Sequence, residues 1–435
     1  MRIVVRAQDT KSARAAQAWL GAAGVEAAAI TGAYRPAPDG EDIAVFPVLS
    51  GDASGVESLA RLTLTGERPP LAALIGLPLS APPPNGLAAN APFAGALALD
   101  ASSKLLGAQI EAYIRLVAAE DERTRRTATA ASLSLPNVSP FPARKLKALY
   151  IGAPSAMFLS LERALTEQGG LVAAAFSSYA GFDHLHDEPF DAVVLNGAEN
   201  AQTAVSLCAA LRRNATLHHM PTMVLTAPGD GATAAAAIER GASAIAEANA
   251  PCGPSLGWLF NAVRRERQRA SAEHTVRALR DLMGDPRTGL FQPQPFRAHL
   301  DRQAGDHHTS GRPLALAVLR VLPAHGARQP SEQVWKKGFT EISSLAGRLM
   351  RDTDCGVALS GDLIVVALAA TDIKGARRTA ERIASVAECT AFASGDGDAG
   401  PLVFEQSTAE LQPGESGAGL LARALRAIDA DVRSA

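Results

Sequence analysis

The residues most able to do chemistry lie between Arg351 and Arg382. The stretch Arg351-Asp352-Thr353-Asp354 sets a guanidinium and a carboxylate three residues apart. Nine residues after Arg351 comes Ser360-Gly361-Asp362, followed by the apolar pair Leu363-Ile364. A second arginine follows in Ala380-Glu381-Arg382-Ile383. An arginine can fork onto phosphate oxygens or onto the O6/N7 edge of guanine. A carboxylate can accept from the N1–H and amino edge of the same base, and two arginines offset two phosphate charges. The simpler reading is a solvated i,i+3 ion pair at a helix end, worth about 0.2–0.5 kcal/mol.

Other candidates are weaker. His307-His308 and His218-His219 are adjacent pairs in loop-like contexts. Neighbours on an extended chain point apart, so they make poor metal ligands. Gly229-Asp230-Gly231 and Gly395-Asp396-Gly397-Asp398 read as turn chemistry rather than calcium loops. No metal is expected.

The elements that must position these residues fall into three units. Of 435 residues, 47% are hydrophobic and 20% charged, the balance of globular domains. Lys plus Arg is 42 and Asp plus Glu is 44, so no global basic field suggests nucleic acid. Cys208, Cys252, Cys355 and Cys389 lack metal-ligand spacing and read as reduced thiols of a cytoplasmic protein. Met1 to Asp9 carries no long apolar run, so no signal peptide is expected. Leu71 to Leu99 is uncharged, but Pro82, Pro83, Pro84, Asn85 and Gly86 would break a membrane span.

The first unit, 1–130, alternates short apolar strands with helices, which implies a parallel sheet covered on both faces. Leu105 to Ala119 closes it as a helix. A Ser/Thr/Pro-rich linker occupies 131–145, beginning in the preceding TATAAS stretch. The same βα plan repeats over 146–283 and ends in one long helix, Pro254 to Met283. Its Trp258, Phe260 and Val263 are expected to dock on the second unit, with Arg264-Arg265-Glu266-Arg267 as a solvated face. The third unit, 284–435, centres on the strands LALAVLRV and LIVVALAA.

The first two units resemble response-regulator receiver domains and the third resembles the GGDEF domain of diguanylate cyclases, an order found in PleD-type cyclases. The resemblance implies an α/β fold: two flavodoxin-like, doubly wound receiver domains, then a nucleotidyl-cyclase-like domain. It spans nearly the whole chain with degraded motifs. Receivers need a phosphorylatable Asp at the end of their third strand and an acidic pair after the first to hold Mg²⁺. Here Pro47 and Asn196 stand at the acceptor positions, with Asp52 only in the following loop. The first strands end in Val5-Arg6-Ala7-Gln8 and Gly152-Ala153-Pro154, without acids. Thr226-Ala227 matches the family's switch Thr, but its Lys position falls near Ala248.

In the third unit, Asp285-Pro286-Arg287-Thr288-Gly289-Leu290-Phe291-Gln292 matches the GGDEF opening element, with Gln292 for Asn. Arg320 stands where the metal-binding Asp belongs, and a guanidinium cannot ligate Mg²⁺. In the signature loop Ser360 replaces the first Gly, Gly361 and Asp362 remain, and Leu363 replaces the essential Glu. Val432 stands for the phosphate-binding Lys. In this family an Arg-x-x-Asp nine residues before the signature binds the product, cyclic di-GMP, with a second arginine from the following helix. Arg351, Asp354 and Arg382 match that inhibitory site.

The resemblance therefore implies a cyclic di-GMP receptor that is not an enzyme. It further implies a cytoplasmic homodimer recruited to a cell pole, which delivers a cell-cycle regulator for proteolysis through protease-linked protein partners. The alternatives are a residual cyclase using Asp362, a GTP sensor using Gln292, and a scaffold that binds no nucleotide.

Overall fold

The computed structural model describes residues 1–37, 40–49, 53–83, 92–167, 169–249, 252–327, 329–394 and 401–431. Asp52, Pro84, Asn85, Gly86, Gly395 to Asp398 and Val432 lie outside the described residues. The chain forms two compact units: Met1–Val117 with Pro142–Ala270, and Ala118–Phe141 with Ser271–Ala435.

The first compact unit holds two sheets of one plan. The first comprises β1 (Ile3–Ala7), β2 (Ala27–Thr31), β3 (Ile43–Pro47), β4 (Ala72–Leu77) and β5 (Gly95–Ala98), with α1 (Thr10–Ala22), α2 (Ala53–Leu64) and the start of α3 (Ser103–Ser132). Its order is β2-β1-β3-β4-β5, all parallel. This is the flavodoxin-like order, set by right-handed crossovers. The second comprises β6 (Lys147–Ile151), β7 (Leu171–Ala175), β8 (Ala192–Asn196), β9 (Thr222–Thr226) and β10 (Ala244–Glu247). Helices α4 (Ala156–Glu167), α5 (Ser178–Asp187), α6 (Ala201–Arg213), α7 (Gly231–Glu239) and the start of α8 (Cys252–Met283) accompany it. Its order, β7-β6-β8-β9-β10, repeats the first. Strands β1, β3, β8 and β9 are buried at every position, as a sheet covered on both faces requires.

The expected docking residues Trp258, Phe260 and Val263 are buried in one cluster with Phe46, Tyr150 and Leu225, so α8 covers both sheets. Its Asn261 treats β5 as a neighbouring strand would: Oδ1 accepts from Ala96 N at 3.1 Å and Nδ2 donates to Ala96 O at 3.0 Å. The edge strand is thereby closed. The basic run that reads as a solvated face is instead engaged. Arg264 donates to Ala94 O at 3.2 Å, Arg265 lies 5.0 Å from the Tyr113 ring, and Arg267 lies 3.4 Å from Asp191. Long arginine stems cover apolar surface while their heads find carbonyls and carboxylates, which a charge count along the sequence does not register.

In the second compact unit, α3 does not stop at Ala119. It runs to Ser132, so the TATAAS stretch expected to begin the linker is helical. Thr124 and Thr127 donate their hydroxyls to the carbonyls of Glu120 and Arg123 one turn back in the same helix. The sheet comprises β11 (Gly284–Asp285), β12 (Leu290–Phe291), β13 (Leu314–Pro323), β14 (Cys355–Ala358), β15 (Leu363–Ala369) and β16 (Leu402–Glu410), in the order β11-β12-β14-β15-β13-β16. Around it lie α9 (Pro293–Ser310), α10 (Glu332–Leu349), α11 (Ile373–Glu388), α12 (Ala391–Ser394) and α13 (Gly417–Asp431). Alternation along β13 sends Leu314, Leu316 and Val318 to one core, and Ala315, Ala317 and Leu319 to the other. The first core packs α9 and α13, the second α10 and α11. Among the described residues no helix is long and apolar enough to cross a membrane.

Candidate functional site

Arg351 follows the end of α10, and Asp354 precedes β14. The four residues from Arg351 to Asp354 form a closed turn. Asp354 N donates to Arg351 O at 3.0 Å, and Asp354 Oδ2 accepts from Arg351 N at 2.9 Å. Arg351 is exposed, whereas Asp354 is only 6% exposed. Burial pushes the Asp354 carboxyl up to about 6, against the lowering pull of the Arg351 N–H and guanidinium. The aspartate therefore shapes the turn, and the arginine is its outward-facing charge.

Arg382 lies on α11, exposed, and its Nη2 donates to Leu349 O at 3.1 Å. That carbonyl ends α10, two residues before Arg351, where a cation complements the helix dipole. Residues more than thirty apart in sequence thus meet at one helix end. The arrangement can grip an anion or a guanine edge from solvent.

Beneath the turn lies a buried network that nothing in the spacing of the sequence announces. Arg126 of α3, with no exposed surface, donates from Nη2 to Asp352 O and to Asp354 O, each at 2.8 Å. Its Nη1 donates to Val276 O at 2.9 Å, and its Nε to Glu122 Oε1 at 2.7 Å. His299 Nε2 lies 2.9 Å from the same carboxylate oxygen, and Thr129 Oγ1 lies 3.0 Å from His299 Nδ1. Burial alone would raise the Glu122 carboxyl, but His299, Arg126 and Arg125 together hold it well below the usual carboxylate range. Burial lowers the His299 imidazole, against the raising pull of the Glu122 carboxylate. Glu122 meets His299 across 177 residues of sequence.

The signature residues sit on the β14–β15 hairpin. Ser360 Oγ donates to Asp362 Oδ1 at 2.6 Å, and Trp335 Nε1 donates to Gly361 O at 2.8 Å. A Cβ at Gly361 would meet no atom within 4 Å, so the space above this loop is open. Arg320 pairs across the sheet with Leu363. Its guanidinium contacts Asp429 and lies 3.6 Å from Glu405, so it is already provided with carboxylates. Gln292 caps α9 through its backbone, with its side chain exposed and making no cap bond. Asp285 accepts from Arg287 N at 2.9 Å, and Gly289 at φ +69° takes the left-handed turn that the opening element needs.

Pro47 ends β3 and Asn196 ends β8, the third strands of their sheets. Asn196 is 9% exposed. Its Nδ2 donates to Ala153 O at 3.1 Å, and its Oδ1 accepts from Ala198 N at 3.1 Å. The amide stitches together the two loops where a phosphoryl group and its metal would lie. In the first sheet Arg6 is buried and forks onto Glu41, with Nε 2.9 Å from Oε2. Thr226 ends β9, buried, and Ala248 follows β10.

His307 and His308 lie in helix α9, not in a loop, and their ring nitrogens approach the carbonyls of Arg312 and Glu415. The His218 and His219 ring centroids lie 3.5 Å apart, with the rings tilted by 45°. Among the described residues no group of three or more His, Cys, Asp or Glu is arranged to hold a metal ion. Asp230 caps α7, accepting from Thr233 N at 3.0 Å, which is turn chemistry.

No family model and no curated protein matches the chain. Solved structures do. The GGDEF domain of DgcB from Caulobacter crescentus, in complex with c-di-GMP, aligns at 22% identity over 35% of this chain and 91% of that one, with a TM-score of 0.31. The GGDEF domain of FimX from Pseudomonas aeruginosa aligns at 14% identity over 35% and 95%, with a TM-score of 0.29. A protein from Chloroflexus aurantiacus assigned as a response regulator aligns at 20% identity over 29% and 99%, with a TM-score of 0.25. The fold holds two flavodoxin-like five-stranded sheets and one six-stranded mixed sheet. The strand orders carry that assignment.

Proposed function

We propose that this chain is a receptor for cyclic di-GMP with no cyclase activity of its own. One observation carries the reading: the exposed Arg382 bonds the last carbonyl of α10, two residues before the exposed Arg351, whose turn is held from below. Cyclic di-GMP offers two guanine edges and two phosphates, which match two guanidinium forks. An intercalated pair of ligand molecules, as the family resemblance implies, would stack against the turn. Catalysis would need metals and positioned cations to neutralise phosphoryl charge. Arg320 and Leu363 at the positions of the acids, with Arg320 already paired to Asp429, speak against it.

The receiver-like sheets serve here as docking and dimerisation modules. Proline has no side-chain nucleophile, and the amide of Asn196 is a poor phosphoryl acceptor. The finer resemblance is to PopA-type effectors. On it rest homodimerisation, recruitment to a cell pole and delivery of a cell-cycle regulator to an ATP-dependent protease. Titration of wild type and Arg351→Ala with cyclic di-GMP tests the site. Binding that the substitution weakens about a hundredfold is expected, and unchanged affinity would remove the assignment. Cyclic di-GMP accumulating from GTP and Mg²⁺ would restore the residual cyclase. GTP binding that survives loss of Arg351 would favour a sensor at Gln292.

A further inference from the structure

The buried network beneath the turn makes contacts that ordinary helix packing does not need. Arg126 holds two backbone carbonyls of the Arg351 turn with one guanidinium nitrogen, while its other nitrogens reach Val276 O and Glu122. A lysine could carry the charge but not these four directions. The guanidinium plane is fixed on one side by Glu122, itself tied to His299, and on the other by the Phe291 ring at 5.2 Å. Arg125 takes the second Glu122 oxygen at 3.0 Å, so the carboxylate cannot rotate away. Outside the core, Arg277 Nη1 donates to the Asp352 side chain at 3.1 Å, holding the turn's outer edge.

We infer that Arg126 is a positioning residue for the nucleotide site: by fixing the carbonyls of Asp352 and Asp354 it sets the direction in which Arg351 projects, and so sets ligand affinity. The inference rests on the cyclic di-GMP reading. It goes beyond that reading by assigning the site's geometry to α3, a helix that the receptor motif does not include. Arg126 touches no ligand. It acts on backbone whose own bonds, Asp354 N to Arg351 O and Arg351 N to Asp354 Oδ2, otherwise permit the turn to tilt as a body. Buried carbonyls left without donors would seek water and open the turn.

The test uses the full chain with Arg126→Lys and, as a gentler perturbation, His299→Gln. Three readouts are taken: cyclic di-GMP affinity well below the unfolding transition, melting temperature, and amide hydrogen exchange of Arg351 to Cys355. A positioning role predicts about tenfold weaker binding and faster exchange at the turn in folded Arg126→Lys, with a smaller change of the same kind in His299→Gln. A purely structural role predicts a lower melting temperature with wild-type affinity and wild-type exchange at the turn, and that result would overturn the inference. If Arg126→Lys does not fold, His299→Gln decides by the same readouts. If wild type itself binds no cyclic di-GMP, the receptor reading fails, and turn exchange in the variants still decides whether Arg126 holds the turn.

Discussion

Two loops nine residues apart in one unit sit beside cations that are used oppositely. At the Arg351 turn the side-chain charge faces solvent, and the backbone is held from beneath by a buried guanidinium. At the Ser360 hairpin the neighbouring cation, Arg320, is matched by the protein's own Asp429 and Glu405. One loop presents charge on a rigid base, which lowers the ordering cost of binding. Beside the other, the cation is already held in an ion pair with Asp429. A site keeps its capacity for a ligand when its charge is left for the ligand to match.

Substitutions can break or sharpen this contrast. The largest effect is expected at the turn: Arg351→Ala should weaken cyclic di-GMP binding about a hundredfold in a calorimetric titration, the loss of a forked, charge-assisted contact. Arg382→Ala should weaken it about tenfold, because that arginine is shared with Leu349 O. Asp354→Asn should change the pH dependence of stability. The folded carboxyl is raised to about 6, so its contribution is present below about pH 4 and is lost as pH rises through about 6. Thermal unfolding followed across that window should show wild type losing stability relative to Asp354→Asn. At the hairpin, Arg320→Ala should leave cyclic di-GMP affinity unchanged. It should alter stability by no more than about 1 kcal/mol in chemical denaturation, since Asp429 is largely exposed.

The elements around these loops were largely legible in sequence, because strand and helix periods show directly in the pattern of apolar residues. The βα repeat of the first two units and the β13 and β15 strands follow from it. Arg351 and Arg382 could be singled out because their chemistry is carried by residue type and local spacing. What could not be read were partners distant along the chain. The helix α3 continues through Thr127 and Thr129 because their hydroxyls find carbonyls, and Arg126 is buried because Glu122, His299 and the turn meet it there. The run at Arg264 to Arg267 looked solvated for the same reason: its acceptors, Ala94 O and Asp191, lie far away in sequence. Asp354 was read as a ligand group, and its burial adds a role in shaping the turn that local spacing does not reveal.

The most direct test of the contrast between the two loops is a hydrogen-exchange footprint of the full chain with and without saturating cyclic di-GMP. Protection should appear at Arg351 to Asp354 and along α11 around Arg382, with Ser360 to Leu363 and Gln292 unchanged. Protection confined to the Ser360 hairpin and Gln292, or absent everywhere, would contradict it.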